Sequence, residues 1–327
     1  IIEKFNYINL FKRENRMCTK NVVSILQRFI LLHPQLIDLS LDRINKLAEK
    51  LGNPEKNIKN IIHVAGTNGK GSTIAYLAAS LIASGKKVDS YTSPHLVEFN
   101  ERIKIGINGK QVLISNVDLE NILLECEIIN NKSPITIFEI TTAAAFLQFS
   151  RTGSDYLLLE TGLGGRLDAT NIIEKPLITI ITPISIDHQD FLGKTIKEIA
   201  SEKAGILKKH VPAIIGPQEK EALLVIEDRA RKLESPLIKW GTDFIAYEQN
   251  GNLVYEDGHG LLDLPMPFLE GDHQIINAGV AIAALRHVPE NTISQKYIAE
   301  GLLNVKWPAR LERLKKGTLN NLMLDGS

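Results

Sequence analysis

The sequence has few cysteines, no excess charge and no long apolar segment, and each absence excludes a class of protein. Its 327 residues contain two cysteines, Cys18 and Cys126, with no CxxC spacing. Two distant thiols do not form a zinc framework and are typical of a reducing compartment. Lys plus Arg and Asp plus Glu number 38 each. No global basic field therefore predicts nucleic acid or membrane partners, and any anion site must be local.

No apolar run reaches the roughly 18 residues of a membrane-spanning helix, and the N-terminus lacks the ordered regions of a signal peptide. We therefore expect a cytoplasmic protein. The length and a hydrophobic content of 44% suit a large α/β domain plus a fragment of another domain. Residue 1 is not methionine, and residues 1–16 show no clear period. We interpret residues 1–20 as an irregular N-terminal extension.

The most informative stretch is residues 61–73, which read I-I-H-V-A-G-T-N-G-K-G-S-T. A β-branched run, a glycine-rich turn and helix-forming residues follow one another. This order predicts a strand, a phosphate-binding loop and a helix N-terminus. Gly66, Asn68 and Gly69 would let the backbone curl, so that successive N–H groups turn inward toward an anion.

Lys70 would supply a positive charge to the outer phosphates, and Ser72 or Thr73 a hydroxyl for a phosphate or its magnesium ion. The strict Walker pattern G-x-x-x-x-G-K-[ST] is not met. Val64 stands in place of its first glycine, and Gly71 separates the lysine from the hydroxyls. The alternative, a glycine-rich connection with a solvated lysine, is disfavoured by the local pattern.

Hydrophobic periodicity predicts an α/β fold. Apolar spacing predicts helices within residues 22–32, 41–51, 72–84, 117–129, 140–149, 195–208 and 220–233. Short apolar runs predict strands at residues 60–64, 87–91, 155–160, 177–181 and 211–215, and Asn108-Gly109 predicts a hairpin turn. Strands that alternate with helices form a mostly parallel sheet, whose ligands bind at the carboxyl ends of the strands.

Functional groups follow several of these strands. Ser93 follows the second strand, Glu160 ends the third, and Asp187-His188 lies shortly after the fourth. Oxygen ligands beside a phosphate loop suit Mg²⁺, whereas a histidine could instead contact phosphate or a metal ligand. Each residue also has a plainer interpretation: a turn former before proline, a helix cap and a satisfied loop histidine. Their combination with the phosphate loop favours function.

Other enzyme classes lack their motifs here. The sequence Gly162-x-Gly164-Gly165 resembles a dinucleotide fingerprint, but Leu167 occupies the position of the third glycine. No nucleophile elbow, HExxH motif or cysteine cluster occurs in the sequence. A Rossmann dehydrogenase, a serine hydrolase and a zinc protease are therefore disfavoured.

Seven segments carry a family resemblance. In order they are H-V-A-G-T-N-G-K-G-S-T, Y-T-S-P-H-L, E-T-G-L-G-G-R-L-D-A-T-N, D-H-Q-D-F-L-G, S-E-K-A-G-I, G-x-H-Q-x-x-N-A and W-P-A-R-L-E. Together they resemble the folylpolyglutamate synthase and dihydrofolate synthase family, the folate branch of the Mur-type ATP-dependent amide ligases. The resemblance implies a P-loop-type ATPase domain with a mostly parallel sheet, followed by a smaller Rossmann-like domain.

The resemblance also implies roles for individual residues. ATP would be bound by Gly66, Thr67, Asn68, Gly69, Lys70, Gly71, Ser72, Asn277, Arg310 and Asp325. Magnesium would be held by Ser93, Glu160 and His188. Lys70, His188 and Lys203 would act in catalysis. Lys203 matches a lysine that can be carbamylated in this family, and the alternative is an exposed helical lysine.

The pteroate part of the substrate would lie against three segments. They are Asp38, Leu39 and Ser40; Thr136, Ile137, Phe138 and Glu139; and Arg166, Leu167 and Asp168. These segments fit the folate branch, which disfavours a cell-wall Mur ligase. The implied reaction adds L-glutamate to folate, to dihydropteroate or to both, with ATP and Mg²⁺, through an acyl phosphate. We expect a monomer with small-molecule substrates.

The resemblance divides the chain into three parts. Residues 1–20 would be the extension, residues 21–305 the ATP-binding domain, and residues 306–327 a linker and the first strand of a Rossmann-like C-terminal domain. In the family, that domain closes over the nucleotide and supplies much of the glutamate site. The alternative function is therefore a truncated or degraded remnant that binds nucleotide without catalysis.

Overall fold

A computed structural model describes residues 20–288 and 293–307, together with the backbone of residues 312–313 and 323–324. The α-helices of this part of the chain are α1 Lys20–Ile30, α2 Asp42–Lys50, α3 Lys70–Ala83, α4 Asn116–Asn130, α5 Ile137–Thr152, α6 Gln189–Leu192, α7 Ile196–Ala204, α8 Lys220–Leu233, α9 His273–Arg286 and α10 Gln295–Asn304.

The strands form one large sheet and two small ones. They are β1 Ile61–Ala65, β2 Val88–Tyr91, β3 Ile103–Ile107, β4 Lys110–Leu113, β5 Tyr156–Glu160, β6 Ile178–Ile181, β7 Ala213–Ile215, β8 Leu237–Lys239, β9 Phe244–Gln249, β10 Asn252–Asp257, β11 Gly260–Pro265, β12 Glu312–Arg313 and β13 Met323–Leu324. The large sheet has the order β4-β3-β2-β5-β1-β6-β7-β8, the second is β11-β10-β9, and β12 pairs with β13.

Six neighbouring strands of the large sheet are parallel, in the spatial order β2-β5-β1-β6-β7-β8. The hairpin β3–β4 joins β2 in antiparallel pairing. This confirms the predicted α/β class with a mostly parallel sheet. Both central strands, β1 and β5, are buried along their whole length. Such strands read as continuous apolar runs because helices cover both faces of a parallel sheet.

Alternate residues of β1 point to opposite faces of the large sheet. Ile62 and Val64 pack with α3, α9, α10 and the three-stranded sheet, in one apolar cluster. Ile61 packs on the other face, in a cluster built from α1, α2, α4 and α5. The small sheet β9–β11 therefore covers part of the same core and does not stand apart from it. The predicted boundary at residue 305 is not tested by this arrangement and stays a prediction.

Local sequence signals set several element boundaries. Asn108 and Gly109 both have positive φ, 50° and 72°, which confirms the predicted hairpin turn. Capping boxes at Thr136 and Thr195 start α5 and α7, as the sequence predicts for residue 195. Ser40, which precedes the predicted helix 41–51, is a residue type that predicts an N-cap. This prediction is wrong by one residue, because Leu41 is the N-cap of α2 and the Ser40 hydroxyl accepts a hydrogen bond from Asp42 N at 3.2 Å.

Two elements of the fold differ from the sequence prediction. Helix α7 ends at Ala204, four residues before the predicted end, and strand β8 was not predicted.

Cys126 is buried in α4, where burial raises the pKa of its thiol to about 12, whereas Cys18 lies outside the described residues. Within residues 20–288 and 293–307, no helix combines the length and apolarity needed to cross a membrane.

Candidate functional site

Four adjacent parallel strands end at the same edge of the large sheet. In spatial order they are β2, β5, β1 and β6, and their last residues are Tyr91, Glu160, Ala65 and Ile181. The loops that follow these strands therefore converge, as expected at the carboxyl edge of a parallel sheet. We call this edge the crest, defined by residues 92–98, 161–168, 66–69 and 182–188.

The loop after β1 is pinned to the loop after β6. The amides of Thr67 and Asn68 donate to the carbonyl oxygen of Pro183, at 3.0 and 3.3 Å. The Thr67 hydroxyl donates to the Ser185 carbonyl and accepts from the Ser185 amide, both at 3.1 Å. The expectation that successive loop amides turn toward an anion is therefore wrong for Thr67 and Asn68, because a tertiary acceptor takes them.

The amides open to an anion lie one step later, in the first turn of α3. Its first intrahelical bond runs from Thr73 N to the Gly69 carbonyl. The amides of residues 70–72 precede this bond and have no partner within the helix. Unpaired amides at the positive end of a helix dipole are the donors that typically bind an anion, so the predicted phosphate site falls on this turn.

Two glycines let other side chains approach this turn closely. Gly69 has φ of 87°, and a Cβ at this position would overlap the Asn277 side-chain oxygen. A Cβ on Gly71 would lie 2.5 Å from Cζ2 of the Trp307 ring. Asn277 thus reaches the loop from α9, and its contact with ATP stays a prediction. Arg310 and Asp325 lie outside the described residues.

Lys70 folds back into its own loop. Its Nζ donates to the carbonyl oxygens of Gly66, at 3.1 Å, and Thr67, at 3.2 Å. The same Nζ lies 4.0 Å from Oε1 of Glu160, at the end of the neighbouring strand. The ammonium therefore lies between the β1 loop and a buried carboxylate, a position from which it can balance the charge of a bound polyphosphate.

A second lysine reaches the same carbonyl. Lys203, on α7, is only 3% exposed, and its Nζ donates to the Gly66 oxygen at 2.9 Å. Burial, and secondarily the charge of Lys70, lower the pKa of Lys203 to about 8. The interpretation of Lys203 as an exposed helical lysine is therefore wrong. Two ammonium groups that share one acceptor repel each other, so this corner favours an added negative charge.

Two of the three predicted metal ligands lie together. Glu160 is buried at the end of β5, and its Oε2 accepts a hydrogen bond from Ser93 N at 3.1 Å. Ser93 precedes Pro94 through a cis peptide bond. The carboxylate and the serine thus present oxygen atoms at the crest, which is the chemistry that Mg²⁺ prefers.

His188 also lies on the crest, but its side chain is 55% exposed. Its Nε2 is 3.5 Å from Oδ2 of Asp187. In the part of the chain that the structure describes, no group of three or more His, Cys, Asp or Glu side chains could hold a metal. The predicted set includes only two residues of these types, so its role as a metal site stays a prediction.

Two of the three predicted pteroate segments are linked by Arg43, which sequence reasoning missed. Its guanidinium donates to Asp38 Oδ2 at 2.8 Å and to Glu139 Oε2 at 3.0 Å. Glu139 is buried, and its Oε2 also accepts from the amide of Thr136 at 2.8 Å. No hydrogen bond among the described residues reaches Glu139 Oε1. An arginine at the second position of a helix carries no signal of such a contact.

The loop after β5, which carries the third segment (residues 166–168), lies against the second segment (residues 136–139). A Cβ on Gly162 would overlap the Phe138 ring, so the loop after β5 packs directly on the start of α5. Arg166 donates to Glu202 on α7, at 2.8 and 3.0 Å. Asp168 is buried, and burial raises the pKa of its carboxyl. Ser40 and Leu39 belong to the loop that precedes α2, and Leu39 packs against the apolar cluster that contains Ala65 of β1.

A further contact at the crest involves Lys104 and Trp307. The Lys104 Nζ lies 4.6 Å from the centroid of the Trp307 ring, which in turn covers Gly71. Burial lowers the pKa of Lys104. Trp307 begins the W-P-A-R-L-E segment, whereas Lys104 lies on an ordinary hairpin strand and gave no sequence signal.

Comparison with known proteins gives one family. The model of the Mur ligase middle domain matches residues 64–285. Dihydrofolate synthetase of Saccharomyces cerevisiae is 37% identical over 287 residues, which are 85% of this chain and 65% of the yeast protein. Dihydrofolate synthase/folylpolyglutamate synthase of Bacillus subtilis is 36% identical over 84% of this chain and 66% of its own length. The chain thus spans slightly less than two thirds of these relatives.

Solved structures agree in fold. The structure of Escherichia coli FolC in complex with DHPP and ADP superposes with a TM-score of 0.83 at 34% sequence identity, covering 94% of this chain and 70% of the other. An FPGS–AMPPCP complex superposes with a TM-score of 0.82 at 31% identity, covering 95% and 76%. At these identities the similarity extends beyond fold alone.

The Arg43 bridge yields a stability prediction. The Arg43→Met substitution leaves the buried Glu139 carboxylate without its cation, so we expect the free energy of unfolding to fall by about 3 kcal/mol. The matched control is Arg151→Met, which breaks the exposed pair with Glu125 and should cost less than about 1 kcal/mol. Urea unfolding measures both. Equal losses in the two variants would contradict a special role for the Arg43 bridge.

Proposed function

Because this chain belongs to the Mur ligase family, in the branch of the folylpolyglutamate and dihydrofolate synthases, we propose that it is an ATP-dependent ligase for folate-type substrates. It would join the amine of L-glutamate to a carboxylate of dihydropteroate, of a folate, or of both. The observation that carries the proposal is the crest, where the N-terminus of α3 adjoins the loop after β1 and the Phe138–Glu139 segment packs on the loop after the neighbouring strand β5.

The nucleotide would bind through its phosphates. The free amides at residues 70–72 and the ammonium of Lys70 together supply hydrogen-bond donors and positive charge at one point. Asn277 lies against Gly69 and would contact the nucleotide from α9. Thr67 and Asn68 would act indirectly, since their amides hold the loop against Pro183.

Mg²⁺ fits the donor set at the end of β5. Glu160 offers a buried carboxylate beside Lys70, and Ser93 offers a hydroxyl in the adjacent loop. His188 would complete the set or contact phosphate. When bound, the ion would neutralise charge on the phosphate oxygens during transfer.

The folate-type substrate would lie against the three predicted pteroate segments. Phe138 offers an aromatic ring, and Glu139 Oε1 offers a buried acceptor with no partner among the described residues. Such an acceptor is costly in the free protein and is satisfied by an N–H donor of a ligand. A pterin ring supplies both an aromatic face and N–H groups.

The reaction would take two steps. A substrate carboxylate oxygen attacks the γ-phosphorus of ATP, the bond to the bridging oxygen breaks, and ADP leaves. Lys70 would stabilise the charge on the transferred group. The amine of L-glutamate then attacks the acyl carbon, loses a proton and displaces phosphate, which leaves an amide. Activation replaces a poor leaving group by a good one.

The carbamylation of Lys203 belongs to this proposal. A neutral amine adds to CO₂, forming an N–C bond with loss of one proton and giving a carbamate anion. Burial favours the neutral amine, since it lowers the Lys203 pKa to about 8. The resulting anion would attract Lys70, whereas the ammonium repels it. The modification would therefore relieve the repulsion at the Gly66 carbonyl.

The first test measures ADP formation by the purified chain. We expect ADP only when L-glutamate and dihydropteroate or folate monoglutamate are both present, and the preferred acceptor identifies the substrate. Glu160→Gln should lower kcat on the order of a hundredfold, because the site loses its buried charge. Glu174→Gln is the control, since Glu174 is 77% exposed and pairs only with Lys56 among the described residues. Nucleotide binding with no acceptor-dependent ADP would instead support a non-catalytic nucleotide-binding protein.

The second test addresses Lys203. With ¹³C-bicarbonate, we expect a carbamate carbon signal in the NMR spectrum of the wild type and none in Lys203→Ala. The matched control is Lys208→Ala, because burial also lowers the Lys208 pKa to about 8, but its Nζ donates to the Asn171 carbonyl. The signal should persist in that control. A signal that survives loss of Lys203 would contradict the assignment.

A further inference from the structure

The middle residue of β1 is a histidine with no role in the proposed reaction. His63 is fully buried, and its register partners are Leu159 on β5 and Thr179 on β6. Because strand residues alternate, its ring shares the sheet face of Ile61 and Ala65. A polar ring on this apolar face costs desolvation, which hydrogen bonding must offset.

The ring contacts the loop region that follows β5. His63 Nε2 lies 2.9 Å from the hydroxyl oxygen of Thr170, and that hydroxyl donates to Asp168 Oδ1. Since its single hydrogen goes to the carboxylate, the Thr170 oxygen must accept from His63. The tautomer with hydrogen on Nε2 follows. Burial lowers the His63 pKa to about 3, in keeping with a neutral ring.

The second ring nitrogen makes a histidine costly at this position. Nδ1 is buried and has no hydrogen-bond partner among the described residues. An unsatisfied buried acceptor costs about 1–3 kcal/mol. A leucine at this position would avoid that cost and fit the apolar face. Stability alone therefore favours leucine, and the histidine is explained only by the bond that Nε2 donates.

The Thr170 hydroxyl that accepts this bond donates in turn to the Asp168 carboxylate, which holds one loop of the crest. Asp168 Oδ2 accepts from the amide of Leu163 at 2.8 Å, and Oδ1 accepts from the amide of Thr170 at 3.0 Å. The carboxylate thus closes residues 163–168 into a compact loop. The preceding residue, Gly162, packs on Phe138, so the position of this loop determines one wall of the proposed substrate pocket.

We propose that His63 is a positioning residue, which orients the Asp168 carboxylate through the Thr170 hydroxyl and thereby fixes the 163–168 loop for the folate-type substrate. The identity of that ligand rests on the proposed function, whereas the effect on the loop does not. The nucleotide loop begins at Gly66, directly after the same strand, and no hydrogen bond among the described residues joins it to the relay of His63, Thr170 and Asp168. Loss of the relay should therefore weaken binding of the folate-type substrate and leave nucleotide binding unchanged.

The test compares His63→Leu, His63→Gln and Thr170→Val in the full chain. Glutamine keeps an N–H donor, leucine removes it, and valine removes the hydroxyl that transmits it. Hydrogen–deuterium exchange of the Leu163 amide should rise about tenfold in His63→Leu and Thr170→Val and about twofold or less in His63→Gln. The double variant His63→Leu/Thr170→Val should be no worse than either single variant, because both break one relay.

Ligand binding provides the second readout. The dissociation constant of dihydropteroate or folate monoglutamate should rise about tenfold in His63→Leu, whereas that of ADP should change less than twofold. Unchanged Leu163 exchange in both His63→Leu and Thr170→Val, or equal loss of both ligands, would overturn the inference. If the wild type binds ADP but neither folate-type probe, the proposed function fails, and Leu163 exchange alone decides the role of His63.

Discussion

The burial of β1 between two parallel neighbours is the constraint on which the site depends. Every residue of β1 is buried, and its backbone pairs with β5 on one side and β6 on the other. The strand can neither shift nor tilt without breaking its hydrogen bonds to both neighbouring strands and disrupting the apolar packing on both faces of the sheet. Its carboxyl end therefore presents Gly66 at a fixed point, and the two neighbouring strands present Glu160 and Pro183 beside it.

The electrostatics of the crest follow from that geometry. Lys70 and Lys203 both donate to the Gly66 carbonyl, while Glu160 is 4.0 Å from the nearer ammonium. The two ammonium groups repel each other across the shared carbonyl, while Glu160 near Lys70, and Asp187 and Asp168 near Lys203, offset part of their charge. A polyphosphate, or a carbamate on Lys203, supplies the missing negative charge. The substrate side is arranged differently, because Arg43 already has two carboxylate partners, Asp38 and Glu139.

Local sequence signals predicted several elements of the fold. The Asn-Gly hairpin, the Thr195 capping box and the apolar runs of β1, β5 and β6 each depend on neighbouring residues, and the structure confirms them. Tertiary contacts were not predictable in this way. The capture of the Thr67 amide by Pro183, the Arg43 bridge and the Trp307 ring over Gly71 join residues far apart in the sequence. No periodicity or turn signal encodes such pairs. Burial of Lys203 was likewise invisible, since a helical lysine is exposed by default.

Isotope transfer tests the central claim most directly, namely that the crest activates a carboxylate with ATP. A folate-type acceptor labelled with oxygen-18 in its reacting carboxylate is incubated with ATP and L-glutamate, and the released phosphate is examined by mass spectrometry. An acyl phosphate requires the bridging oxygen to leave with phosphate, so we predict one labelled oxygen in each phosphate released. Unlabelled phosphate, or label found in AMP, would contradict the claim.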